Sequence, residues 1–229
     1  MNATQPTITS GGAPGIDPAP VIRPVRPSYL LLKDLVDRFL AIAALALLAP
    51  LLAWIAIRIR RDSRGPVLFS QFRAGLNGRP FRVLKFRTMR LDADPYGDSP
   101  QSGEDPRITP LGRWLRETSL DELPQLINVA RGEMSLVGPR PLYVQQIVEW
   151  NERQRGRLLV KPGMTGLSQI RGRAAIPMEE KLEIDVQYVE RISPRLDLWI
   201  ILATLHAVRT SQDIYETKYS VHRVRRSDR

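Results

Sequence analysis

Two adjacent carboxylates, Asp121 and Glu122, stand between Thr118-Ser119-Leu120 and Leu123-Pro124-Gln125-Leu126, where a proline opens an apolar stretch. A carboxylate can act as a nucleophile on phosphorus, and a second one beside it can hold a metal ion or a proton. Neighbouring residues of a helix point about 100° apart, so the pair could flank a reacting group without touching each other. A helix start also favours bound phosphate. The same letters have a plainer structural reading. Ser119 followed three residues later by Glu122 is a capping box, and acids are favoured at helix N-termini whether or not they do chemistry. On local pattern alone, capping is the simpler account.

The surroundings of the pair shift that balance. Lys85-Phe86-Arg87-Thr88-Met89, Asp105-Pro106-Arg107-Ile108-Thr109 and Leu111-Gly112-Arg113-Trp114-Leu115-Arg116 precede the acids. Gly138-Pro139-Arg140-Pro141 and Lys161-Pro162-Gly163-Met164-Thr165-Gly166-Leu167-Ser168-Gln169 follow them. Taken singly, each is a solvated turn with a basic residue. Taken together, they are tight turns each offering a cation, which suits convergence on a phosphate-rich ligand. The formal net charge of +10 agrees with a phosphorylated substrate, an anionic membrane or nucleic acid as partner. There is no cysteine, which excludes thiolate catalysis and Cys-ligated zinc, and the only histidines are His206 and His222. A metal here would be held by oxygen, as Mg²⁺ is.

The elements that must hold these residues fall into three parts. Residues 1–28 are rich in Pro, Gly, Ser and Thr without hydrophobic period, and read as a disordered tail. Residues 29–60 contain an uncharged apolar run, 39–57, inside the length of about 17–25 residues that a spanning helix needs. A buried core helix is the alternative. Pro50 inside the run predicts a kink. Lys33 and Arg38 before the run, and Arg58, Arg60, Arg61 and Arg64 after it, put cations on both sides. A helix that enters one leaflet and returns accounts for this better than a span with one basic end. Residues 61–229 then read as the soluble portion. A β-hairpin is predicted from 67–72 and 81–86 around Leu76-Asn77-Gly78, then a loop over 92–107. Helices follow at 111–117, 124–130, 142–156, 178–192 and 197–209. The last carries Leu198, Trp199, Ile201, Leu202 and Leu205, which suits a helix in the membrane interface or an ordinary core helix equally. The fold class is α+β and mainly helical: a kinked re-entrant membrane helix, a small β-hairpin, and a helical catalytic domain with long loops and interfacial helices.

Over about residues 29–215 the chain resembles the bacterial sugar transferases, the monotopic phosphoglycosyl transferases that load polyprenyl (undecaprenyl) phosphate. Five ordered motifs carry the resemblance: Lys33/Asp37 at the entry to the apolar helix, Lys85-Phe86-Arg87-Thr88-Met89, Asp121-Glu122 with Leu-Pro-Gln, Gly138-Pro139-Arg140-Pro141, and the run from Lys161 to Gln169. The resemblance implies an anchor that re-enters the cytoplasmic face of the bacterial inner membrane. It implies that Asp121 attacks the β-phosphorus of a UDP-sugar and releases UMP, and that polyprenyl phosphate then takes the phosphosugar from the enzyme. This is the opening step of exopolysaccharide or glycan assembly. Asp121 and Glu122 would form the catalytic pair and the Mg²⁺ ligands, with Glu122 in metal binding or proton handling. Arg140 would help place the nucleotide or its phosphates. Lys85, Arg87, Arg107 and Arg116 are the remaining candidates for phosphate contacts, and Lys33 and Arg38 for the lipid phosphate or ordinary interfacial anchoring.

The chain departs from the family pattern in two places. Ala49 stands before Pro50 where the family usually has Ser, which removes one hydroxyl able to satisfy carbonyls freed by the kink. Ile170-Arg171-Gly172-Arg173 adds a positive charge after Gln169, which bears on the choice of sugar if that loop lines the donor pocket. A membrane-tethered nucleic-acid binder would interleave aromatics with its cations or show a reader motif, and Phe, Tyr and Trp together make only 7% of the chain. No nucleic-acid partner is therefore expected. A non-catalytic scaffold of a polysaccharide assembly complex has no use for the intact acidic pair.

Overall fold

The computed structural model describes residues 27–94, 97, 100, 102–172 and 176–209. The tail read over 1–28 lies outside the described residues except for Pro27 and Ser28, as does Arg173. Helix α1, Pro27–Asp62, is helical from end to end, with Pro50 inside it. Among the described residues it is the one helix long and apolar enough to cross a membrane. Both ends of α1 pack on the domain: Lys33, Asp37 and Ala41 are buried at spacings of four near its start, and Ile55 and Ile59 four apart near its end. Leu31, Leu35, Phe39, Leu47, Trp54 and Ile57 on other faces are exposed.

Strands β1, Leu68–Ala74, and β2, Pro80–Phe86, form the antiparallel hairpin expected from the sequence, with Leu68 opposite Phe86 and Ala74 opposite Pro80. Its turn has Asn77 at φ 54° and Gly78 at φ 73°, the left-handed conformations these two residues tolerate best. Helix α2, Pro110–Glu117, starts where Thr109 accepts the Gly112 amide through its hydroxyl. A short 3₁₀ turn, Leu120–Glu122, leads into α3, Gln125–Ala130. Asn128 of α3 is fully buried and clamps α3 to β2: its Oδ1 accepts the Leu84 amide at 3.0 Å and its Nδ2 donates to the Arg82 carbonyl at 2.7 Å.

Beyond α3 the expected helix over 142–156 is absent. The chain instead makes a 3₁₀ segment, Val144–Glu149, then α4, Glu152–Arg155, then a second 3₁₀ segment, Gly156–Leu159. The break has a cause in the residues themselves. Trp150 is extended at φ −85°, ψ 135° so that its indole lies beneath the Arg157 guanidinium, 4.9 Å from the ring centre. Asn151 then starts a new helix through a reciprocal capping box with Gln154. Two three-residue strands that the sequence reading missed, β3, Ser135–Val137, and β4, Gly163–Thr165, pair in parallel. Strands this short carry no period to read. Helices α5, Leu167–Gly172, α6, Met178–Arg191, and α7, Pro194–Arg209, complete the fold.

The α+β, mainly helical architecture read from the sequence is the one observed. The apolar core lies in three patches: α1 with β2 and α3 around Val83, Val129 and Met134; α1 with α2 around Ile55 and Leu115; and β3 with α6 and α7 around Val137, Tyr188 and Ile200. On α7, Ile200 faces inward at 0% exposure while Leu198, Trp199, Leu202 and Leu205 remain exposed.

Candidate active site

The 3₁₀ turn Leu120–Glu122 sits against the end of β2. Ser119 does not cap it: the residue is left-handed (φ 56°, ψ 16°) and makes no side-chain capping bond. The capping box read from the letters is thus overturned, because Glu122 turns away from the helix start to meet Lys85. Its Oε1 lies 2.5 Å from Lys85 Nζ and 3.9 Å from Arg140 Nη1. Lys85 comes from β2, Glu122 from the 3₁₀ turn and Arg140 from the loop after β3, so three separate elements meet here. Asp121 is buried beside them. Its burial pushes the carboxyl up to about 6; Lys85 opposes the shift, Glu122 adds to it, and Arg116 and Arg140 oppose it. A buried carboxyl with Lys85, Arg116 and Arg140 around it is an acid whose charge is costly alone and stabilised by cations, a combination found at functional sites.

The structure brings together three of the five predicted phosphate contacts, Lys85, Arg116 and Arg140, around the acid pair. Arg116 also donates from Nε to the Thr88 hydroxyl at 2.9 Å. Arg107 is turned back on Asp105, with Nη2 2.7 Å from Oδ2 and Nε 3.0 Å from Oδ1. Arg87 has a different task from the one expected. It is buried, and it donates to the Ser63 carbonyl at 2.7 Å, the Arg64 carbonyl at 2.9 Å and the Ser63 hydroxyl at 2.8 Å. It thereby ties down the turn that follows α1, and its Nη2 also reaches the Ile59 carbonyl in the last turn of the helix at 3.5 Å, where a helix leaves acceptors unpaired and its dipole is negative.

Lys33, expected at the lipid phosphate or as an interfacial anchor, points into the domain. Its ammonium is buried and paired with Asp37 at 3.1 Å and Asp197 at 2.7 Å. Asp37 accepts the Ser135 hydroxyl and the Leu136 amide, so α1 holds β3 directly. The Tyr188 hydroxyl lies 2.7 Å from Asp197 Oδ1 and 3.0 Å from the Val137 carbonyl. Arg38 pairs with Asp34 at 2.9 Å and lies over Gly132, where a Cβ would come within 2.0 Å of its guanidinium.

Arg140 is positioned from below by residues the sequence reading missed. Arg157 donates to the Arg140 carbonyl at 2.5 Å and pairs with Asp185 at 2.6 Å, both side chains almost fully buried. Ser168 donates to the other Asp185 oxygen at 2.7 Å. Burial pushes the Asp185 carboxyl up, and the Arg157 charge opposes that shift. One signal was available: Asp185 stands inside Leu182, Ile184, Val186 and Val189, an acid on the apolar face of a helix. The loop around Arg140 is closed by backbone contact, since a Cβ on Gly163 would lie 2.0 Å from the Gly138 nitrogen. This is the physical reason the Gly138 and Lys161-Pro162-Gly163 motifs belong together.

Among the described residues no group of three or more His, Cys, Asp or Glu side chains is placed to hold a metal ion. Asp121 and Glu122 offer two carboxylates. That donor set suits Mg²⁺, which is ordinarily held by one or two carboxylates and completed by water and substrate phosphates.

A family model described as bacterial sugar transferase matches residues 28–211. The chain is 42% identical over 190 residues to the uncharacterized sugar transferase EpsL of Bacillus subtilis, covering 83% of this chain and 93% of that protein. It is 42% identical over 211 residues to the UDP-glucose:undecaprenyl-phosphate glucose-1-phosphate transferase of Caulobacter vibrioides, covering 85% and 77%. To the galactosyl transferase CpsE of Streptococcus agalactiae it is 44% identical over 193 residues, which is 79% of this chain but only 43% of that longer protein.

Proposed function

The chain belongs to the bacterial sugar transferase family and is a sugar-1-phosphate transferase, and from that premise we propose that it carries sugar-1-phosphate from a UDP-sugar to polyprenyl phosphate through Asp121. The observation that carries this reading is the buried Asp121 carboxyl beside Glu122, faced by Lys85, Arg116 and Arg140. In the first step an Asp121 oxygen bonds to the β-phosphorus as the bond from that phosphorus to the bridging oxygen breaks, and UMP leaves with the electron pair. In the second, a phosphate oxygen of the lipid bonds to the same phosphorus and the Asp121 carboxylate departs. A covalent intermediate lets a water-soluble donor and a membrane-held acceptor use one site in turn.

In this reading Arg140, Arg116 and Lys85, the last held by Glu122, stabilise charge on the diphosphate as UMP leaves. Mg²⁺, when bound by Asp121 and Glu122, supplies further neutralisation of the diphosphate. Relatives named for glucose-1-phosphate and galactosyl transfer make a hexose donor the first to try. The test is UMP release from detergent-solubilised protein given Mg²⁺, undecaprenyl phosphate and a panel of UDP-sugars. Absence of UMP with every donor, or full activity in Asp121→Asn, overturns the reading.

The same reading has α1 enter the bacterial inner membrane and return, leaving the catalytic domain on the cytoplasmic face. It is supported by the packing of both ends of α1 on one domain: Lys33 and Asp37 on α7 and β3, Ile55 and Ile59 on β2 and α2. The chain has no native cysteine, so single cysteines replacing the exposed Ser28 and Asp62 report sidedness cleanly. Labelling from the same side is expected; labelling from opposite sides means a true span.

A further inference from the structure

A cavity of about 380 Å³ opens between the first turns of α1, the tip of the hairpin, the 3₁₀ segment before Val160, and Ile192. Its apolar wall comes from Leu30, Leu31, Leu76, Leu159, Val160 and Ile192. The charges at its edge are already paired within the chain, Lys33 with Asp37 and Asp197, and Lys161 with Asp34. A neutralised rim around an apolar wall suits hydrocarbon, because such a guest strips water from no unpaired charge. The volume falls in the range of small-ligand sites, about 300–1,000 Å³.

Two features say which hydrocarbon. First, the mouth is continuous with the outward apolar face of α1: Leu31 lines the cavity and is 69% exposed, and Leu32, Leu35 and Phe39 continue the exposed stripe. A chain can pass from a lipid phase into the cavity without crossing water. Second, the cavity adjoins the loop that carries Arg140. Ser135 and Val137 of β3 form part of its wall, and β3 runs straight into Gly138-Pro139-Arg140. Val160 is shared between this cavity and the small cleft beneath Arg140. We propose that the cavity seats the isoprene units nearest the phosphate of the lipid acceptor, and so aligns that phosphate along β3 toward Arg140 and Asp121. The inference rests on the transferase reading above, and it makes Leu31 and Leu159 determinants of acceptor choice.

The test joins photolabelling to kinetics on the full chain in detergent. A short isoprenoid phosphate carrying a diazirine near its phosphate end should label peptides containing Leu30 to Leu32 and Leu159 to Val160. Unlabelled polyprenyl phosphate should suppress that labelling, and phospholipid or straight-chain alkyl phosphate should not. Equal suppression by phospholipid makes the cavity a general acyl groove and overturns the proposal, as does labelling only elsewhere. Leu31→Trp and Leu159→Trp change exposed positions, so folding survives while the mouth is filled. Each should raise the acceptor KM about tenfold, the factor that losing one or two buried methylenes carries. UMP release in a single turnover without acceptor should stay at the wild-type rate. An unchanged acceptor KM, or an equal loss in the donor half-reaction, sinks the cavity. Labelling without turnover would remove the transferase reading alone, and turnover without labelling the cavity alone.

Discussion

Arg157 and Asp185 meet at 2.6 Å with side chains 2% and 3% exposed, whereas Lys85 and Glu122 meet at 2.5 Å with about a quarter of each exposed, 26% and 24%. Both are one cation against one carboxylate. The first pair has every remaining bond spent inside the protein: on the Arg140 carbonyl, the Ser168 hydroxyl and the face of Trp150. The second is open to solvent and has Asp121, Arg116 and Arg140 around it. A ligand phosphate can enter the second pair and exchange partners. The first can only be broken. Burial and completeness of bonding, rather than the presence of an ion pair, separate scaffold from site, and Arg87 and Lys33 fall on the scaffold side by the same standard.

The largest effect expected is at Asp121. Asp121→Asn should cut UMP release by at least about a thousandfold, since the nucleophile is lost. Its stability should move the other way. Burial raises the Asp121 carboxyl from 3.8 to about 6 in the folded chain, so its ionisation opposes folding as pH rises through that window. The Asn variant should therefore be more stable than wild type above pH 6, by roughly 1–3 kcal/mol. That gain should vanish below about pH 4, where the carboxyl is neutral in both states. Thermal melts at pH 4 and pH 8 check this.

Breaking the buried pair comes next. Arg157→Met or Asp185→Asn alone should cost about 3–5 kcal/mol, read by denaturant unfolding, because each leaves a buried charge unpaired. Arg157→Met with Asp185→Leu should recover much of that stability. Activity should stay low in the double variant, because the Arg140 carbonyl has still lost its donor. Recovery of activity with stability would show that the pair only packs.

Lys85→Met should lower kcat/KM about a hundredfold with little change in Tm, whereas the Arg157 variant loses stability as well. Below pH 6, kcat/KM should fall about tenfold per unit as Asp121 takes up its proton, a loss read from a pH–rate profile. Glu104→Gln, which removes the exposed partner of Arg113, should leave both Tm and kcat/KM unchanged.

Much of the site was legible because its residues are carried by locally determined elements. The hairpin that delivers Lys85 follows from β-type runs around Asn77-Gly78, and α2 from the helical pattern over 111–117. Local letters misled where a distant partner outbid a local one. Ser119 and Glu122 spell a capping box, yet Lys85, 37 positions away in the chain, takes the carboxylate. Residues 142–156 look like one helix, yet Trp150 leaves it to lie under Arg157. Lys85 and Arg87 stand two apart and look alike; one meets Glu122 and the other closes the end of α1.

Residue types and order by themselves determined the class of chemistry: an acidic pair, cations in tight turns, no thiol, and one long apolar helix. These follow from composition and from periods of a few residues, which need no partner to be read. Tertiary structure alone decided which cations face the acids, that α1 holds β3 through Asp37, and that Arg157 and Asp185 support the Arg140 loop. It also made the cavity beside α1. The physical reason is range: a charge declares its role by what it is buried against, and the groups that bury it lie dozens of residues away along the chain.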